Sequence, residues 1–257
     1  MALLKKIIKL IWLVSLVSLI VTMIVKPSLP DYEELSTETI NTNPEQSTTD
    51  RGSFELKVKN FNYQLTPRAE YVLAGLVVSQ YDSSSWLDVM HKNDPINIKD
   101  VCLVWNENLI NRAYQKVSYK SGEFTCFYHW SKYFEPPFKP EYLGNNHLIP
   151  ANDKIAYQLK NINISDEIRL KGYLVDYKVS NVDNVSLGER TTSLTRNDTG
   201  NGACEVLLVT KVEVIKKHQQ LFYWFKKNSF KFLAVSTIIL IILFIYESQQ
   251  ARAGKIS

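Results

Sequence analysis

The sequence predicts an α+β protein in which two transmembrane α-helices flank a β-rich soluble domain, whose C-terminal part is OB-like or a small, partly closed barrel. Two observations lead to this prediction. Apolar runs stand near both ends of the chain, at Ile7–Val25 and Phe232–Tyr246. Between them, segments in which apolar and polar residues alternate outnumber segments with helical spacing, and alternation is typical of half-buried strands.

Each apolar run is close to the roughly 20 residues that are needed to cross a bilayer. We therefore expect transmembrane helices over 7–26 and 232–246, with an N-terminus at 1–6 and a tail at 247–257. A cleaved signal peptide is the alternative for the first run. No small-x-small cleavage site follows Val25, which favours an uncleaved anchor.

The charges that flank the two runs favour opposite orientations. Lys5, Lys6 and Lys9 favour a cytoplasmic N-terminus, whereas five lysines crowd the basic and aromatic segment 216–231 before the second run. Because the first helix usually decides topology, we predict both termini in the cytoplasm and the central domain outside the plasma membrane. The segment 216–231 is then expected to contact membrane lipid.

Composition limits the function classes. The formal net charge of +4 is concentrated beside the membrane runs, so we expect no nucleic-acid binding by the folded part. Cys102, Cys126 and Cys204 lack C-x-x-C spacing, which argues against a zinc ribbon or a redox pair. One disulfide with a free thiol, or three buried thiols, remain possible. We predict no metal and no cofactor.

The N-terminal half of the chain predicts a linker followed by strands. Segment 27–52 is rich in Pro, Ser, Thr, Asn and acidic residues, which predicts a structureless linker before a folded domain at 53–215. Phe54–Val58 alternates and predicts a half-buried strand. Tyr71–Ser79 predicts a buried strand with a bend or bulge at its central glycine, and Val101–Trp105 predicts another strand.

The middle of the domain predicts a hairpin, a loop and a helix. The aromatic stretch Arg112–Tyr133, with its Ser-Gly turn signal, favours a hairpin. The prolines that follow predict a loop that reaches His147. A cap at Asn152 or Asp153 then predicts a helix that ends near Asn161.

The last third of the domain predicts three strands. A long alternating strand is expected over 167–179. Two more, over 190–195 and 203–215, are joined by the glycine-rich loop 196–202. A small coiled sheet of the OB type can be built from such strands.

Three segments resemble stretches of uncharacterised bacterial inner-membrane proteins. They are His147–Asn152 (HLIPAN), Lys171–Asp176 (KGYLVD) and Arg196–Glu205 (RNDTGNGACE). Ser165 departs from the pattern, because a glycine is expected there. No activity is known for that group, so the resemblance implies a bacterial membrane protein and no particular chemistry.

Two motifs carry possible catalytic chemistry. Asp198-Thr199-Gly200 is the triplet of aspartic proteases, but polar residues precede it and the chain has no second copy, so a loop role is expected. Cys204 could act as a nucleophile with His147 or His129 as base, although its apolar strand favours a small buried side chain. We therefore predict no catalytic residue.

Five polar residues in segments predicted to be irregular, or beside them, are the candidate ligand-binding residues. Such positions next to rigid strands are where sites tend to be built, and a glycine-rich loop can form an anion-binding nest. The candidates are Asn146, His147, Arg196, Asp198 and Glu205.

The sequence thus predicts a membrane-anchored, non-catalytic binding or assembly module at the cell envelope, with a protein partner in or at the membrane. The alternative is a membrane-tethered hydrolase that uses Asp198, or Cys204 with His147. A hydrolase would bring these side chains together in a cleft. A binding module would instead bury Cys204 among neighbouring strands.

Overall fold

The protein has mixed α and β structure, as the sequence predicts. The computed structural model describes residues 2–83, 94–122, 124–131, 133, 135–183, 185–195 and 204–253. The chain divides into two compact units, one made of Met1–Ser28 and Gln219–Ser257 and the other of Leu29–His218. The first contains two long apolar helices and the second a large sheet, which confirms the predicted fold class.

The first unit is a pair of antiparallel helices, α1 (Ala2–Ile24) and α5 (Gln220–Ala253). Both are long and apolar enough to cross a membrane, by length and composition. Near one end Lys5 pairs with Glu247 at 2.5 Å, and further along Trp12 Nε1 donates to Thr237 Oγ1 at 2.9 Å. Helix α5 is continuous from Gln220, so most of the predicted basic and aromatic segment is helical.

Small hydroxyl side chains are buried within this helix pair, while most large apolar side chains are exposed. Thr22, Ser236 and Thr237 donate to carbonyls of their own helices, so their hydroxyls carry no unmet donor. Small residues at a contact let two helices approach closely in lipid. The exposed apolar surface is what a membrane would cover.

The second unit is built on an eight-stranded sheet and a separate hairpin. In chain order the strands are β1 (Glu45–Ser47), β2 (Phe54–Val58), β3 (Phe61–Tyr81), β4 (Lys99–Val104), β5 (Ser118–Gly122), β6 (Thr125–His129), β7 (Leu143–Pro150), β8 (Asp166–Asn181), β9 (Ser186–Arg190) and β10 (Glu205–Lys217). Strands β5 and β6 form the hairpin.

Pairing between β3 and β8 makes the sheet partly ring-like. The strand order is β1-β3-β4-β7-β10-β8-β9, β2 pairs with β3, and β3 also pairs with β8. Five strands, β3, β4, β7, β10 and β8, are therefore linked in a circuit. Strands β7 and β10 pair in parallel, and the other pairings are antiparallel.

Buried leucines from the circuit form the main core, among them Leu73, Leu103, Leu148, Leu170 and Leu207. Helix α4 (Asp153–Lys160) packs Ile155 and Leu159 against this core. The Asn152 side chain caps the helix by accepting from the Ile155 amide at 3.0 Å. This helix and its cap are confirmed as predicted.

Strand β3 is much longer than the predicted Tyr71–Ser79 and extends from Phe61 to Tyr81. Its register shifts lie at Pro67/Ala69 and Val77/Ser79, so the predicted bulge at Gly75 is wrong. Gly75 instead allows close approach of β4, because a Cβ there would lie 2.8 Å from the Val104 carbonyl oxygen. Room for a neighbouring backbone is the reason for this glycine.

The segment predicted as a structureless linker carries ordered elements. It contains a 3₁₀ turn at Tyr32–Glu34, helix α2 (Thr37–Ile40) and strand β1, which pairs with β3. Leu35 and Ile40 are buried against Leu76 and Val104 of the sheet. A few apolar residues are enough to fold this segment onto the domain.

Two other local predictions differ from the structure. His147 lies within β7 and not in a loop. The sequence does not predict this strand because the neighbours of His147 are polar. The predicted strand at 190–195 is wrong, because β9 lies at Ser186–Arg190 and residues 191–195 form no regular element. The strands predicted at 54–58 and 167–179 are confirmed, and so is the hairpin.

A disulfide joins Cys102 of β4 to Cys126 of the hairpin, and Cys204 is a free thiol. This is the first of the two cysteine arrangements that the sequence left open. A short helix, α3 (Glu107–Ile110), and a 3₁₀ turn at Ala113–Lys116 lead from β4 to the hairpin. The hairpin is thus fixed covalently to the sheet that it follows.

Gly172 of β8 should be the least replaceable glycine of the ring. It stands opposite Tyr71 and Val209, and a Cβ there would lie 1.9 Å from the Leu208 carbonyl oxygen. We expect Gly172→Ala to lower the free energy of unfolding of the detergent-solubilised chain by about 1–3 kcal/mol or more in denaturant titrations. Gly52→Ala is the matched control, because nothing lies within 4 Å of its Cβ position. Equal midpoints for the two variants would contradict the close approach.

Candidate functional site

Strands β4 and β7 bring four polar or sulfur-bearing residues onto one face. Asp100 stands opposite His147, and Cys102 stands opposite Asn145. Directly paired residues of antiparallel strands share a face, as do residues two apart along a strand. These four therefore face away from the ring core, into which Val101 points.

His147 and Asp100 form a buried pair at the centre of this face. Nδ1 of His147 lies 2.7 Å from Oδ1 of Asp100, and the side chains are 3% and 0% exposed. Asn97 Nδ2 donates to the same Asp100 oxygen at 2.5 Å. Within the described ranges, the second oxygen, Oδ2, has no hydrogen-bond partner. One carboxylate oxygen of Asp100 thus orients the imidazole, and the other can accept a further hydrogen bond.

The environment of His147 favours its protonated form. Burial alone would lower its pKa, but hydrogen bonds to Asp100 and Cys204 and the charge of Asp100 together raise the pKa to about 9. The side chain is therefore expected to be an imidazolium at neutral pH. A buried charge of this kind requires a partner, and Asp100 supplies it.

Cys204, just before β10, completes the group. Its half-buried thiol lies 3.6 Å from Asn145 Nδ2 and 3.7 Å from the Phe124 carbonyl oxygen, and it is also hydrogen-bonded to His147. Asp100, His147 and Cys204 therefore form a continuous chain of hydrogen-bonded groups.

The tip of the hairpin covers this group through Phe124. Its carbonyl oxygen accepts from Asn145 Nδ2 at 3.4 Å, and its ring packs edge-on against His147 with centroids 6.1 Å apart. The Arg190 guanidinium lies 4.4 Å from the same ring. Phe124 has φ of +61°, a left-handed conformation that is uncommon for residues other than glycine. Two residues on, Cys126 anchors the tip.

A polar groove of about 450 Å³ adjoins the site, because Arg190 belongs to both. Asp94 lies at this groove and accepts from the hydroxyls of Tyr63 at 3.0 Å and Tyr177 at 2.5 Å. Burial and the charge of Asp94 raise the pKa of both tyrosines. The tyrosines therefore stay protonated and act as donors to the carboxylate.

The structure separates the predicted site residues. Asn146 precedes His147 in the same strand, so its side chain points to the opposite face and is buried toward the ring core. Glu205 is its neighbour on β10 and is also buried, near Gly144. Of the other predicted residues that the structure describes, His147 is the one that lies in the group with Cys204. Arg196 and Asp198, with the whole Asp-Thr-Gly triplet, lie outside the described residues.

Three residues of the group, Asp100, Asn145 and Phe124, are not among those that the sequence predicts. One signal for Asp100 was present, since it is a carboxylate within the apolar strand Lys99–Val104, and a buried carboxylate needs a partner. Across the described ranges, no cluster of three or more His, Cys, Asp or Glu side chains could hold a metal ion. Asp100, His147 and Cys204 are linked at this face by hydrogen bonds.

The His147–Asp100 pair should make stability depend on pH. Because the folded pKa of His147, about 9, lies above its usual 6.5, the bound proton stabilises the folded state. This contribution is fully present below about pH 6.5 and is lost as pH rises through about 9. We expect the difference in unfolding free energy between the wild type and Asp100→Asn to shrink by up to about 3 kcal/mol over that range.

Denaturant titrations of the detergent-solubilised chain at several pH values would measure this difference. Asp153→Asn, in the exposed first turn of α4, is the matched control and should give a difference that does not change with pH. A pH-independent difference for Asp100→Asn as well would mean that Asp100 does not raise the pKa of His147.

Comparison of the chain with protein families, with curated proteins and with solved structures finds no match. The resemblance to bacterial inner-membrane proteins therefore stays a prediction.

Proposed function

We propose that this chain is a membrane-anchored binding or assembly module at the cell envelope, and that the β4–β7 face is its binding surface. The convergence of Asp100, His147, Asn145 and Cys204 on that face carries the proposal. Among the described residues, Oδ2 of Asp100 and Oδ1 of Asn145 are buried without a hydrogen-bond partner. An unmet buried polar atom costs about 1–3 kcal/mol, which a ligand that donates hydrogen bonds would offset.

We further propose that the ring is OB-like. Its five strands follow the order β3-β4-β7-β10-β8, and α4 stands between the third and fourth of them in the chain. OB folds bind ligands on the face of their second and third strands and through the loops beside it. Strands β4 and β7 hold those two positions, which supports the choice of this face.

The membrane assignment rests on the two candidate spans and on the disulfide. Disulfides persist in oxidising compartments, so the Cys102–Cys126 bond favours a domain outside the cytoplasm. With the lysines in the first turns of α1, it supports an inner-membrane protein with both termini inside. Lipid would then surround α1 and α5, and a protein or small polar ligand, not nucleic acid, would occupy the domain.

A topology measurement tests the orientation. A reporter that is active only outside the cytoplasm should be active when inserted after Asn60, in the turn between β2 and β3, and silent when fused after Ser257. The physical reason is the basic N-terminus, which the first span retains inside. The opposite pattern would mean that the lysines before the second span decide the orientation.

Photo-crosslinking in cells tests the binding surface. Phe127, on the outer side of the hairpin, and Tyr157, on α4, are both aromatic and well exposed, at 57% and 71%. A photoreactive phenylalanine analogue at 127 should give a discrete crosslinked product, because the Cys102–Cys126 disulfide joins the neighbouring residue to β4 of the proposed face, whereas the same analogue at 157 should not. Equal labelling at both positions, or none at 127, would contradict a binding surface at the hairpin.

A further inference from the structure

We propose that Cys204 is a nucleophile that attacks the carbonyl carbon of an acyl compound bound at the β4–β7 face, with His147 as its acid–base partner. The inference rests on the proposed function, because it names the chemical class of the ligand that this face would take. It assigns Asp100 as a positioning residue and Asn145 as the donor for the oxyanion.

Asp100, His147 and Cys204 are arranged in sequence, with the imidazole between the carboxylate and the thiol. A nucleophilic cysteine needs a nearby imidazole, and a third group that orients the imidazole. His147 is hydrogen-bonded to Cys204 and, through Nδ1, to Asp100 at 2.7 Å. Asp100 and His147 lie within strands and Cys204 directly precedes one, and sites built on such rigid elements keep catalytic geometry within narrow limits.

The Asn145 side-chain amide lies beside the Cys204 thiol. Asn145 Nδ2 lies 3.6 Å from Sγ, close enough for its N–H to reach the oxygen of a carbonyl whose carbon bonds to that sulfur. Its Oδ1 is buried and, among the residues that the structure describes, lacks a hydrogen-bond partner. A substrate with an N–H beside the carbonyl would satisfy both ends of this amide.

The reaction balances with water as the only co-reactant. The sulfur of Cys204 bonds to the carbonyl carbon and the bond from that carbon to its leaving oxygen or nitrogen breaks, while His147 gives its proton to the leaving group and takes the proton of the thiol. A thioester on Cys204 results. Water then attacks that carbon and passes a proton to His147 as His147 gives one to the departing sulfur, so the carbon–sulfur bond breaks, the thiol is restored and the acid is released.

Access of a substrate to the Cys204 thiol depends on Phe124. Phe124 covers the site, and its carbonyl oxygen accepts from both Asn145 and the Cys204 thiol, so it occupies the donors that a substrate would use. Its positive φ is a conformation that a phenylalanine adopts at a cost, and such strain persists where the surrounding structure enforces it. Lifting the hairpin tip would therefore expose the thiol and free both donors together.

The test uses the full chain in detergent and the p-nitrophenyl ester of N-acetylglycine, whose amide N–H can donate to Asn145. We expect saturable turnover, an acyl adduct on Cys204 by peptide mass mapping, and loss of both in Cys204→Ser. His147→Gln should slow acylation by about 100-fold or more. Asp100→Asn should lower kcat with little change in KM, as expected of a residue that orients the base.

Phe124→Gly protects the test against variants that fail to fold. Glycine adopts positive φ without cost and removes the covering ring, so we expect faster turnover by about 10-fold or more. Unfolding cannot imitate this result, because a thiol in an unfolded chain would be acylated once and would not turn over. Equal acylation of the wild type and His147→Gln, or turnover that survives in Cys204→Ser, would overturn the proposal.

The two proposals fail in distinguishable ways. Crosslinking at 127 without acylation of Cys204 would leave a binding module and remove the nucleophile. Acylation that depends on His147, without a crosslinked product in cells, would keep the nucleophile and remove the partner. Absence of both results would reject the β4–β7 face as a functional surface.

Discussion

The pairing of β3 with β8 is the interaction on which the rest of the domain depends. It runs from Phe61 opposite Asn181 to Leu76 opposite Glu167. In chain order it joins the first and fourth of the five strands of the circuit. With that edge paired, β4, β7 and β10 lie side by side and their apolar side chains meet in one core. The pairing has a steric condition, because β8 must pass Leu208 of β10 without a side chain at Gly172. Ring, core and polar face all follow from this closure.

Periodicity predicted the elements whose two faces differ and failed where they do not. Strand β8 and helix α4 alternate apolar and polar residues at clear periods, and both were predicted close to their observed bounds. Periodicity does not predict strand β7, because Asn145, Asn146 and His147 are all polar and yet buried. The burial of His147 and Asn145 is tolerated because Asp100 and Cys204 supply partners across the sheet. Such partners come from distant parts of the chain, and no local pattern contains them.

The same limit applies to the site. Cys204 and His147 were identified as a pair worth considering, but Asp100 and Phe124 could be added only after the sheet register and the hairpin were known. A carboxylate in an apolar strand was the one available sign. The site also shows why polar residues at neighbouring positions need not act together. Asn146 and His147 are consecutive, and the pleat sends them to opposite faces.

The parallel pairing of β7 with β10 determines when the polar face can exist. Parallel neighbours need a long crossover, and here α4, β8 and β9 all stand between them. Cys204 meets Phe124 across 80 residues of sequence and enters with the last strand of the domain. Contacts of such long range form late in folding, because much chain must first be ordered. A nascent chain that has produced everything up to β9 therefore still lacks Cys204, so the polar face is incomplete until the domain has been synthesised almost to its last strand.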